Sequence, residues 1–290
     1  MNNLEKERVV KLVQKTLVEA GSTFRDDKKN VYLKAIQEET NEQARWCLGT
    51  IYQNALVAEK NRSPLCDDTG IPHLVLDVGE GASLDADTLD AIREGVALGL
   101  ETLPGRPMGV LGDTRTRLEQ SRGLDPASSG VAPAPFHVRR VSNVGLKLHI
   151  LMFGGGPAIR SKTFRIFHQH NAQRVLDEIV QWSREGVLAL GCSPCTLAVG
   201  VGRSHFEASS LALEALVDGD YSQQDDLERE ITEGVNQTNV GALGLGGKTT
   251  VLATFMKVGA QRSSGVRIVC VRPCCCFEPR IASVELSRGK

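Results

Sequence analysis

Hydrophobic positions recur at helical spacing over the first third of the chain. Residues 9–17 carry Val and Leu every three or four positions in a charged background, which predicts an amphipathic helix. A second helix is expected from Thr40, because Gln43 follows three residues later, as in a capping box, and apolar positions at 48–55 continue the spacing. The same reasoning predicts helices near residues 89–96, 166–183, 205–216 and 225–236, with a capping box formed by Ser204 and Glu207 before the third of these.

Short apolar runs between these segments predict strands. They lie at residues 73–78, 136–153 (as a pair of strands), 197–201, 249–255 and 266–271. Helices and strands therefore alternate without strict regularity, which indicates an α/β fold, with α+β as the alternative. We expect a helical N-terminal region followed by mixed sheets flanked by helices, with the functional site in the loops between them.

One long segment interrupts this pattern. Residues 104–135 are rich in Pro, Gly, Ser and charged residues and predict a long loop. The only plausible internal boundary falls there, and residues 1–290 are otherwise interpreted as one domain.

Composition excludes several classes of protein. The 290 residues include 34 Lys and Arg against 35 Asp and Glu, and 41% of residues are hydrophobic, which is sufficient for a sizeable core. A near-neutral chain with 4% aromatic residues is not expected to bind nucleic acid. Apolar runs stay below 18 residues and the first twenty residues are charged, so we expect neither a membrane span nor a signal peptide, and a cytoplasmic location.

The eight cysteines are the most informative feature of the sequence. In a reducing compartment clustered cysteines indicate metal binding, redox chemistry or catalysis more often than disulfides. Cys66, Cys192 and the run 274–276 all lie in turns that contain Gly or Pro, and thiolates from distant turns suit zinc or an iron–sulfur cluster. The C-x-x-C pair Cys192 and Cys195 also permits a zinc or thioredoxin-like site. Cys47 lies beside an apolar helical stripe and is interpreted as a buried hydrophobic residue.

Two glycine-rich segments could approach an anion. Residues 241–250, G-A-L-G-L-G-G-K-T-T, resemble the phosphate loop G-x-x-x-x-G-K-[ST], but Ala242 stands where the first glycine is required. Lys248 beside flexible glycines still suits a small anion such as a carboxylate. Residues 154–156, G-G-G, precede Arg160 and Lys162 and predict either a tight turn after a strand or close backbone approach to a ligand.

Taken together, these motifs resemble the class I, iron–sulfur-dependent fumarase and L-tartrate dehydratase family, and more narrowly its α-subunit or N-terminal domain. Five segments carry the resemblance in order over residues 40–285. They are C-D-D-T-G at 66–70 (C-Q-D-T-G in the family), G-G-G at 154–156 with Ser161, C-S-P at 192–194 followed by A-V-G-V-G at 198–202, G-L-G-G-K-T-T at 244–250, and C-F-E-P-R at 276–280.

The resemblance implies a [4Fe–4S] cluster held by three thiolates, from Cys66, Cys192 and Cys276. Such a cluster keeps one iron open to substrate, and a Lewis-acidic iron suits the reversible hydration or dehydration of a 2-hydroxy-dicarboxylate of the fumarate/malate or tartrate/oxaloacetate type. Cys274 and Cys275 remain alternatives for the third ligand.

The resemblance also implies roles for residues around the cluster. Asp68 and Thr69 are expected to orient the substrate or a proton carrier. The substrate-binding residues are expected to be Asp67, Arg106, Gly155 and Lys248, with Arg106 (in G-R-P, similar to the family's L-R-P) and then Lys248 as partners of a substrate carboxylate. Asp67 replaces the family's glutamine, and the family's histidine before the third cysteine has no counterpart around residues 260–262, so the substrate within this class stays open.

A partner subunit is also implied. Members of this family complete the substrate pocket with a second domain or with a separate β-subunit. Because the chain ends fourteen residues after Cys276, we expect a β-subunit in a hetero-oligomer. The alternatives are a zinc or redox protein that uses Cys192 and Cys195, and a non-catalytic subunit that carries a cluster.

Overall fold

The computed structural model describes residues 3–286, which form two compact units. The first contains the described residues up to Phe24, the segment Ala55–Phe153 and the described residues from Arg280 onward. The second contains Arg25–Asn54 and Gly154–Pro279. Each unit has a four-stranded mixed sheet with helices against it, which confirms the α/β class. Residues 104–135 lie within the first unit.

The helices within the described residues are α1 (Asn3–Ser22), α2 (Asp26–Glu38), α3 (Glu42–Asn61), α4 (Ala86–Thr102), α5 (Thr114–Glu119), α6 (Gly155–Arg160), α7 (Ala172–Leu190), α8 (His205–Asp218) and α9 (Asp226–Asn236). The strands are β1 (Ile71–Glu80), β2 (His137–Val144), β3 (Leu146–Phe153), β4 (Lys162–Phe167), β5 (Cys195–Gly202), β6 (Val251–Val258), β7 (Val266–Cys274) and β8 (Arg280–Glu285). None of the helices in the part of the chain that the structure describes has both the length and the apolar character to span a membrane.

The sheet of the first unit has the order β2–β1–β3–β8. Strand β1 runs parallel to β2 and antiparallel to β3, and β8 is antiparallel to β3. Helices α1 and α4 pack together and share a core with the sheet. That core includes Val13 and Leu17 of α1, Ile92 and Val96 of α4, and Leu74, Leu76, Leu148 and Ile150 of the sheet. The apolar stripe predicted over residues 9–17 is therefore the buried face of α1.

A line of polar side chains crosses this sheet. Arg139 forms a two-bond ion pair with Asp77, His149 Nε2 lies 3.0 Å from Asp77 Oδ2, and His149 Nδ1 lies 2.7 Å from Ser283 Oγ. Arg139, Asp77, His149 and Ser283 belong to the four successive strands of the sheet. Because a shift by one residue would move a side chain to the other face, this network stabilises one register.

Burial and hydrogen bonding have opposite effects on the pKa values of Asp77 and His149 in this network. Burial raises the pKa of Asp77, but the hydrogen bonds from Arg139 and His149 outweigh it, so the pKa lies below its usual range. For His149 burial is the larger effect and lowers the pKa, although Asp77 acts in the opposite direction.

The sheet of the second unit has the order β4–β7–β5–β6. Strand β7 is antiparallel to both β4 and β5, and β5 runs parallel to β6. Strand β5 is buried along its whole length, as its apolar run predicts. The core around it combines Leu197 and Val199 of β5 with Ile179 of α7, Ile231 of α9 and Val269 of β7.

Several predicted element boundaries are wrong for identifiable reasons. The helix expected from Thr40 begins at Glu42. Its cap is Asn41, whose side chain accepts the N–H groups of Gln43 and Ala44 at 3.0 and 3.1 Å. The box between Thr40 and Gln43 does not form, because the carboxylate of Glu39 accepts the Thr40 N–H. The preceding helix α2 was not predicted as a separate element.

The segments predicted over 166–183 and 136–153 also differ in detail. Ile166 lies on β4, and the helix begins only at Ala172, after the side chain of Asn171 caps it. Both strands of 136–153 exist, but they do not pair with each other, since β1 lies between them. Each boundary depends on a partner strand or cap that apolar spacing alone does not specify.

The capping box predicted for α8 forms only in half. Ser204 accepts the Glu207 N–H, but the Glu207 carboxylate pairs with Arg203. A complete capping box is found instead at α9, between Asp225 and Glu228.

Candidate functional site

The predicted site residues come from both units. Cys66, Asp67, Asp68, Thr69 and Arg106 belong to the first unit. Gly155, Cys192, Lys248 and Cys276 belong to the second. The geometry within each unit shows which of them the fold brings together.

The Cys66 turn, residues 64–70, leads directly into β1 and gathers four predicted residues. Cys66 is half-buried and Thr69 is buried. Thr69 Oγ1 accepts the Arg106 N–H at 2.9 Å, and Arg106 Nη1 donates to Asp67 Oδ2 at 2.8 Å. The side chains of Arg106 and Asp67 are 54% and 87% exposed, so this ion pair is solvent-screened and weak.

Arg280 anchors the same turn from β8. Its side chain is 1% exposed, Nη1 donates to the Asp68 carbonyl at 2.7 Å, and Nε donates to the Met152 carbonyl at 3.1 Å. Gly70 has φ of +91°, and a Cβ there would lie 2.7 Å from Arg280 Nη2. The turn therefore requires a glycine at 70 for both its backbone conformation and its contact with the guanidinium. Sequence reasoning placed Arg280 in the C-x-x-x-R motif but did not predict this role.

The turns that carry two of the three expected cluster ligands, Cys192 and Cys276, contact each other in the second unit. The Cys276 backbone N–H donates to the Cys192 carbonyl at 2.8 Å. The next residue, Ser193, is buried and its hydroxyl donates to the Gly241 carbonyl at 2.5 Å. These bonds hold the Cys192 turn against both the Cys276 turn and the glycine-rich loop. Cys192 is exposed, whereas Cys276 is 5% exposed.

The thiols of this pair also interact electrostatically. A hydrogen bond with Cys275 and burial raise the pKa of the Cys276 thiol well above its usual value, and the Cys192 thiol acts in the same direction. The ammonium of Lys28 acts in the opposite direction. The Cys276 thiol is thus acted on by Cys275, Cys192 and Lys28.

Helix α2 supplies two buried side chains to the Cys276 turn. Lys28 Nζ donates to the Glu278 carbonyl at 2.8 Å, and the Tyr32 hydroxyl donates to the Cys276 carbonyl at 2.6 Å. Lys28 is 1% exposed and Tyr32 is fully buried. Burial lowers the pKa of Lys28 to about 8, while the thiols of Cys274–Cys276 act to raise it. Sequence reasoning missed both residues, and their only signal is the spacing of four positions that places them on one helix face.

Cys195 and Cys274 belong to the core of the second unit. Both are fully buried, at the start of β5 and at the end of β7, and burial raises the pKa of each thiol. Reactive or redox-active thiols require the opposite, a lowered pKa and access. The buried position of Cys195 disfavours a redox pair with Cys192.

Single metal ions and iron–sulfur clusters require different arrangements of their ligands. Within residues 3–286, no three His, Cys, Asp or Glu side chains are grouped so that they could hold a metal ion. A zinc ion draws its four ligands to one point, whereas an iron–sulfur cluster distributes its thiolates over separate iron atoms.

The glycine-rich loop at 241–250 does bind a carboxylate, but one from the protein itself. Glu39 is 1% exposed, and its Oε2 accepts the N–H groups of Lys248 and Thr249 at 2.8 and 3.3 Å. Gly247 has φ of +119°, and a Cβ there would lie 2.7 Å from Glu39 Oε2. Burial raises the pKa of Glu39, but backbone N–H groups outweigh it and hold the pKa below its usual range. The Lys248 side chain is exposed, with Nζ 3.4 Å from the Glu38 carbonyl.

The G-G-G segment opens a short helix rather than a tight turn. Gly155 is exposed at the first position of α6, directly after β3. The Gly154 N–H donates to the Glu278 carboxylate, which also pairs with Arg272 Nη2 at 2.7 Å. The segment is therefore tied to the chain just after Cys276.

Comparison with known proteins supports the resemblance. The profile of the family described as Fumarate hydratase (Fumerase) matches residues 10–285. The chain is similar to the "Putative L(+)-tartrate dehydratase subunit alpha" of Methanocaldococcus jannaschii, with 26% identity over 88% of this chain and 90% of that protein. It is also similar to the "Putative fumarate hydratase class I" of Geobacillus stearothermophilus, with 27% identity over 88% of this chain. The chain spans about half the length of this second relative, 50%.

Proposed function

Because this chain belongs to the fumarate hydratase (Fumerase) family, we propose that it is the α-type subunit of a hydro-lyase that acts on a small dicarboxylate. The observation that carries the proposal is the match over residues 10–285, which includes every predicted site residue. The α-type assignment is supported by the coverage of 90% of a relative named as a tartrate dehydratase α-subunit. Fumarate/malate and tartrate/oxaloacetate are the proposed substrate pairs.

We propose that Cys66, Cys192 and Cys276 hold a [4Fe–4S] cluster. The donor set fits, because soft thiolates are the ligands that iron–sulfur clusters require, and the turns of Cys192 and Cys276 are joined by a backbone hydrogen bond. When bound through three thiolates, the cluster would supply a Lewis-acidic iron that favours loss of a substrate hydroxyl. Cys276 is preferred over Cys274, since Cys274 lies in the core as the last residue of β7.

The Arg106 guanidinium is proposed to bind one substrate carboxylate. In the structure Asp67 Oδ2 lies 2.8 Å from Arg106 Nη1. Because both side chains are largely exposed, another carboxylate can replace that of Asp67 at a small cost in free energy. A carboxylate of the substrate would replace that of Asp67 with the same charge and similar geometry. The resemblance implies that Asp67 binds the substrate, but because it pairs with Arg106 it is proposed instead to compete with the substrate for that guanidinium.

Thr69 and Asp68 are proposed to set the position of these groups. The Thr69 hydroxyl accepts the Arg106 backbone N–H, and this bond fixes the position of the backbone from which the Arg106 side chain extends. The Asp68 carbonyl is held by Arg280, so the adjacent carboxylate is presented from an anchored backbone. Asp68 is proposed to orient the substrate or a proton carrier.

Lys248 and Gly155 are proposed as substrate contacts of the second unit. Glu39 already occupies the N–H groups of Lys248 and Thr249, so the contribution of the loop would be the exposed Lys248 ammonium. Gly155 is exposed and has no side chain to block approach to its backbone. Lys248 is the second proposed partner of a substrate carboxylate, after Arg106.

A β-subunit is proposed as the partner that supplies the remaining acid–base groups. The support is the name of the Methanocaldococcus relative, which is described as a subunit alpha. The proposed assembly is a hetero-oligomer.

Anaerobic reconstitution followed by iron and sulfide analysis tests the proposal. The reconstituted chain, with a co-expressed β-type subunit, is then assayed with malate, fumarate and both enantiomers of tartrate. We expect near-stoichiometric cluster content and turnover of one of these substrates. A loaded protein without turnover would support the cluster-carrying alternative, and a colourless zinc protein would contradict the cluster.

A further inference from the structure

The Cys276 turn is held from one side by a buried cation and a buried hydroxyl on a single helix. Lys28 and Tyr32 stand four residues apart on α2 and so share a helix face. They donate to the carbonyls of Glu278 and Cys276, at 2.8 and 2.6 Å. We call this pair the α2 clasp.

A lysine is an unusual choice for such a bond. Burying an ammonium carries a large cost in solvation free energy. A neutral donor such as a tyrosine hydroxyl, as at position 32, would satisfy a carbonyl without that cost. The charge of Lys28 therefore calls for a function beyond the hydrogen bond.

The charges that face Lys28 point to that function. Its ammonium donates at 2.8 Å to the carbonyl of Glu278, two residues after Cys276, and the thiols of Cys274–Cys276 and the Glu278 carboxylate also act on it electrostatically. A thiol must lose its proton to bind iron, so a ligated cysteine adds negative charge to a site that is 5% exposed. A cation in the same low-dielectric region offsets that charge far more strongly than one in water.

We propose that Lys28 stabilises the bound iron–sulfur cluster by placing a buried positive charge beside the Cys276 thiolate, while Tyr32 fixes the backbone of that turn. The inference rests on the proposed function, since it assumes that Cys276 is a cluster ligand. It makes Lys28 a positioning and electrostatic residue that acts through the cysteine, not a residue that contacts substrate. It also accounts for why the clasp combines one charged and one neutral donor.

The test compares cluster loading in Lys28→Met, Lys28→Arg and Tyr32→Phe. Lys34→Met is the matched control, because Lys34 lies on the same helix with a side chain that is 70% exposed. Each full-length protein is reconstituted anaerobically. Iron and sulfide content, the rate of iron loss to a chelator, and the thermal midpoints of apoprotein and loaded protein are measured.

We expect Lys28→Met to lose iron at least ten times faster than the wild type, and to gain less thermal stability on loading. Lys28→Arg retains the positive charge, so it should lose iron at a rate close to that of the wild type. Tyr32→Phe should accelerate iron loss less than Lys28→Met, and Lys34→Met should match the wild type. A merely structural lysine would lower the midpoints of apoprotein and loaded protein equally and leave the gain on loading unchanged.

The outcomes separate the two proposals. If the wild type takes up no iron and sulfide, the cluster assignment fails and this inference fails with it. If the wild type loads and Lys28→Met retains iron equally well, only the role of Lys28 is overturned. Should Lys28→Met fail to fold, Lys28→Gln keeps a donor without the charge and carries the same expectation.

Discussion

At the scale of single residues, the Cys66 turn carries an exposed ion pair between Asp67 and Arg106. Asp67 stands where the resembled family has glutamine, and it pairs with Arg106 through exposed side chains. Thr69 and Arg280 hold the backbones of Arg106 and Asp68. The turn is thus a rigid support for an exchangeable ion pair.

Replacing Asp67 by Gln should strengthen substrate binding. An exposed ion pair contributes about 0.2–1 kcal/mol, so removing the competing carboxylate should lower KM by about 1.5- to 5-fold with kcat little changed. Steady-state kinetics on the reconstituted complex measures this. Asp90→Gln is the control, since Asp90 forms a similar exposed pair with Arg93. An unchanged or higher KM for Asp67→Gln would show that Asp67 does not compete with substrate.

The effect of replacing a cysteine on cluster binding should depend on where that cysteine lies. Cys66→Ser, Cys192→Ser and Cys276→Ser should each abolish stable cluster binding, because a serine oxygen is a poor soft ligand for iron. Cys47→Ala and Cys195→Ala should retain the cluster, since both thiols are buried among apolar residues. Iron and sulfide content after reconstitution is the measurement. Loss of the cluster in Cys274→Ala but not in Cys276→Ser would move the third ligand to Cys274.

At the scale of elements, the residue that follows α2 anchors the glycine-rich loop through hydrogen bonds. The carboxylate of Glu39, the residue after α2, accepts four backbone N–H groups, from Thr40, Asn41, Lys248 and Thr249. The loop has the composition of an anion-binding loop and does bind an anion, but that anion is part of the fold. The Lys248 side chain of this loop is exposed, and its ammonium is the group proposed to act on a ligand.

Glu39→Ala should therefore destabilise the protein strongly. The four bonds are part-buried, and an N–H group left without an acceptor costs about 1–3 kcal/mol when it is buried, so a loss of about 3 kcal/mol in the free energy of unfolding is expected for the four together. Glu39→Gln retains one acceptor oxygen and should lose less. Urea denaturation of the apoproteins measures both values, and equal stability of Glu39→Ala and wild type would contradict the anchoring role.

The polar line across the first sheet should make stability depend on pH. The folded-state pKa of His149 is lowered, so the unfolded chain binds more protons between that pKa and about 6.5. Stability should accordingly fall as the pH drops below about 6.5. His149→Gln keeps a donor toward Asp77 but cannot titrate, so its thermal midpoint should change less between pH 7 and pH 5. Parallel curves for the two proteins would exclude this histidine as the source.

At the scale of the whole molecule, the predicted site residues lie in six separate chain segments, two in the first unit and four in the second. Each unit carries its own sheet, its own core and part of the predicted site. Arg106 and Lys248, both exposed, are the proposed cationic partners of the substrate, and Asp68 is the proposed orienting carboxylate. The family relationship adds the expectation of a partner.

Turnover should depend on that partner. General acid–base groups typically contribute about 10²–10⁴-fold to rate, so the chain reconstituted alone should show kcat lower by about that factor than the complex with a β-type subunit. Cluster content should be similar in the two preparations, which separates loss of catalysis from loss of cofactor. Full turnover by this chain alone would remove the need for a β-subunit.

Local sequence was sufficient for most elements and for the candidate chemistry. The spacing of apolar residues was sufficient to predict α1, α4, β1 and β5, because an apolar pattern with a helical or strand period can be read from a short segment of the chain. Short motifs determined the C-D-D-T-G turn and the cysteine turns, since glycine and proline act on their own backbone.

Tertiary structure decided what those elements contact. Strand β1 entered between β2 and β3, Glu39 filled the glycine-rich loop, and Arg280 reached the Cys66 turn from a strand more than 200 positions later. Lys28 and Tyr32 gained their role only because α2 packs beside the Cys276 turn. Such partners are chosen by long-range packing and by the need to satisfy buried polar groups, and neither appears in the spacing of residues along the chain.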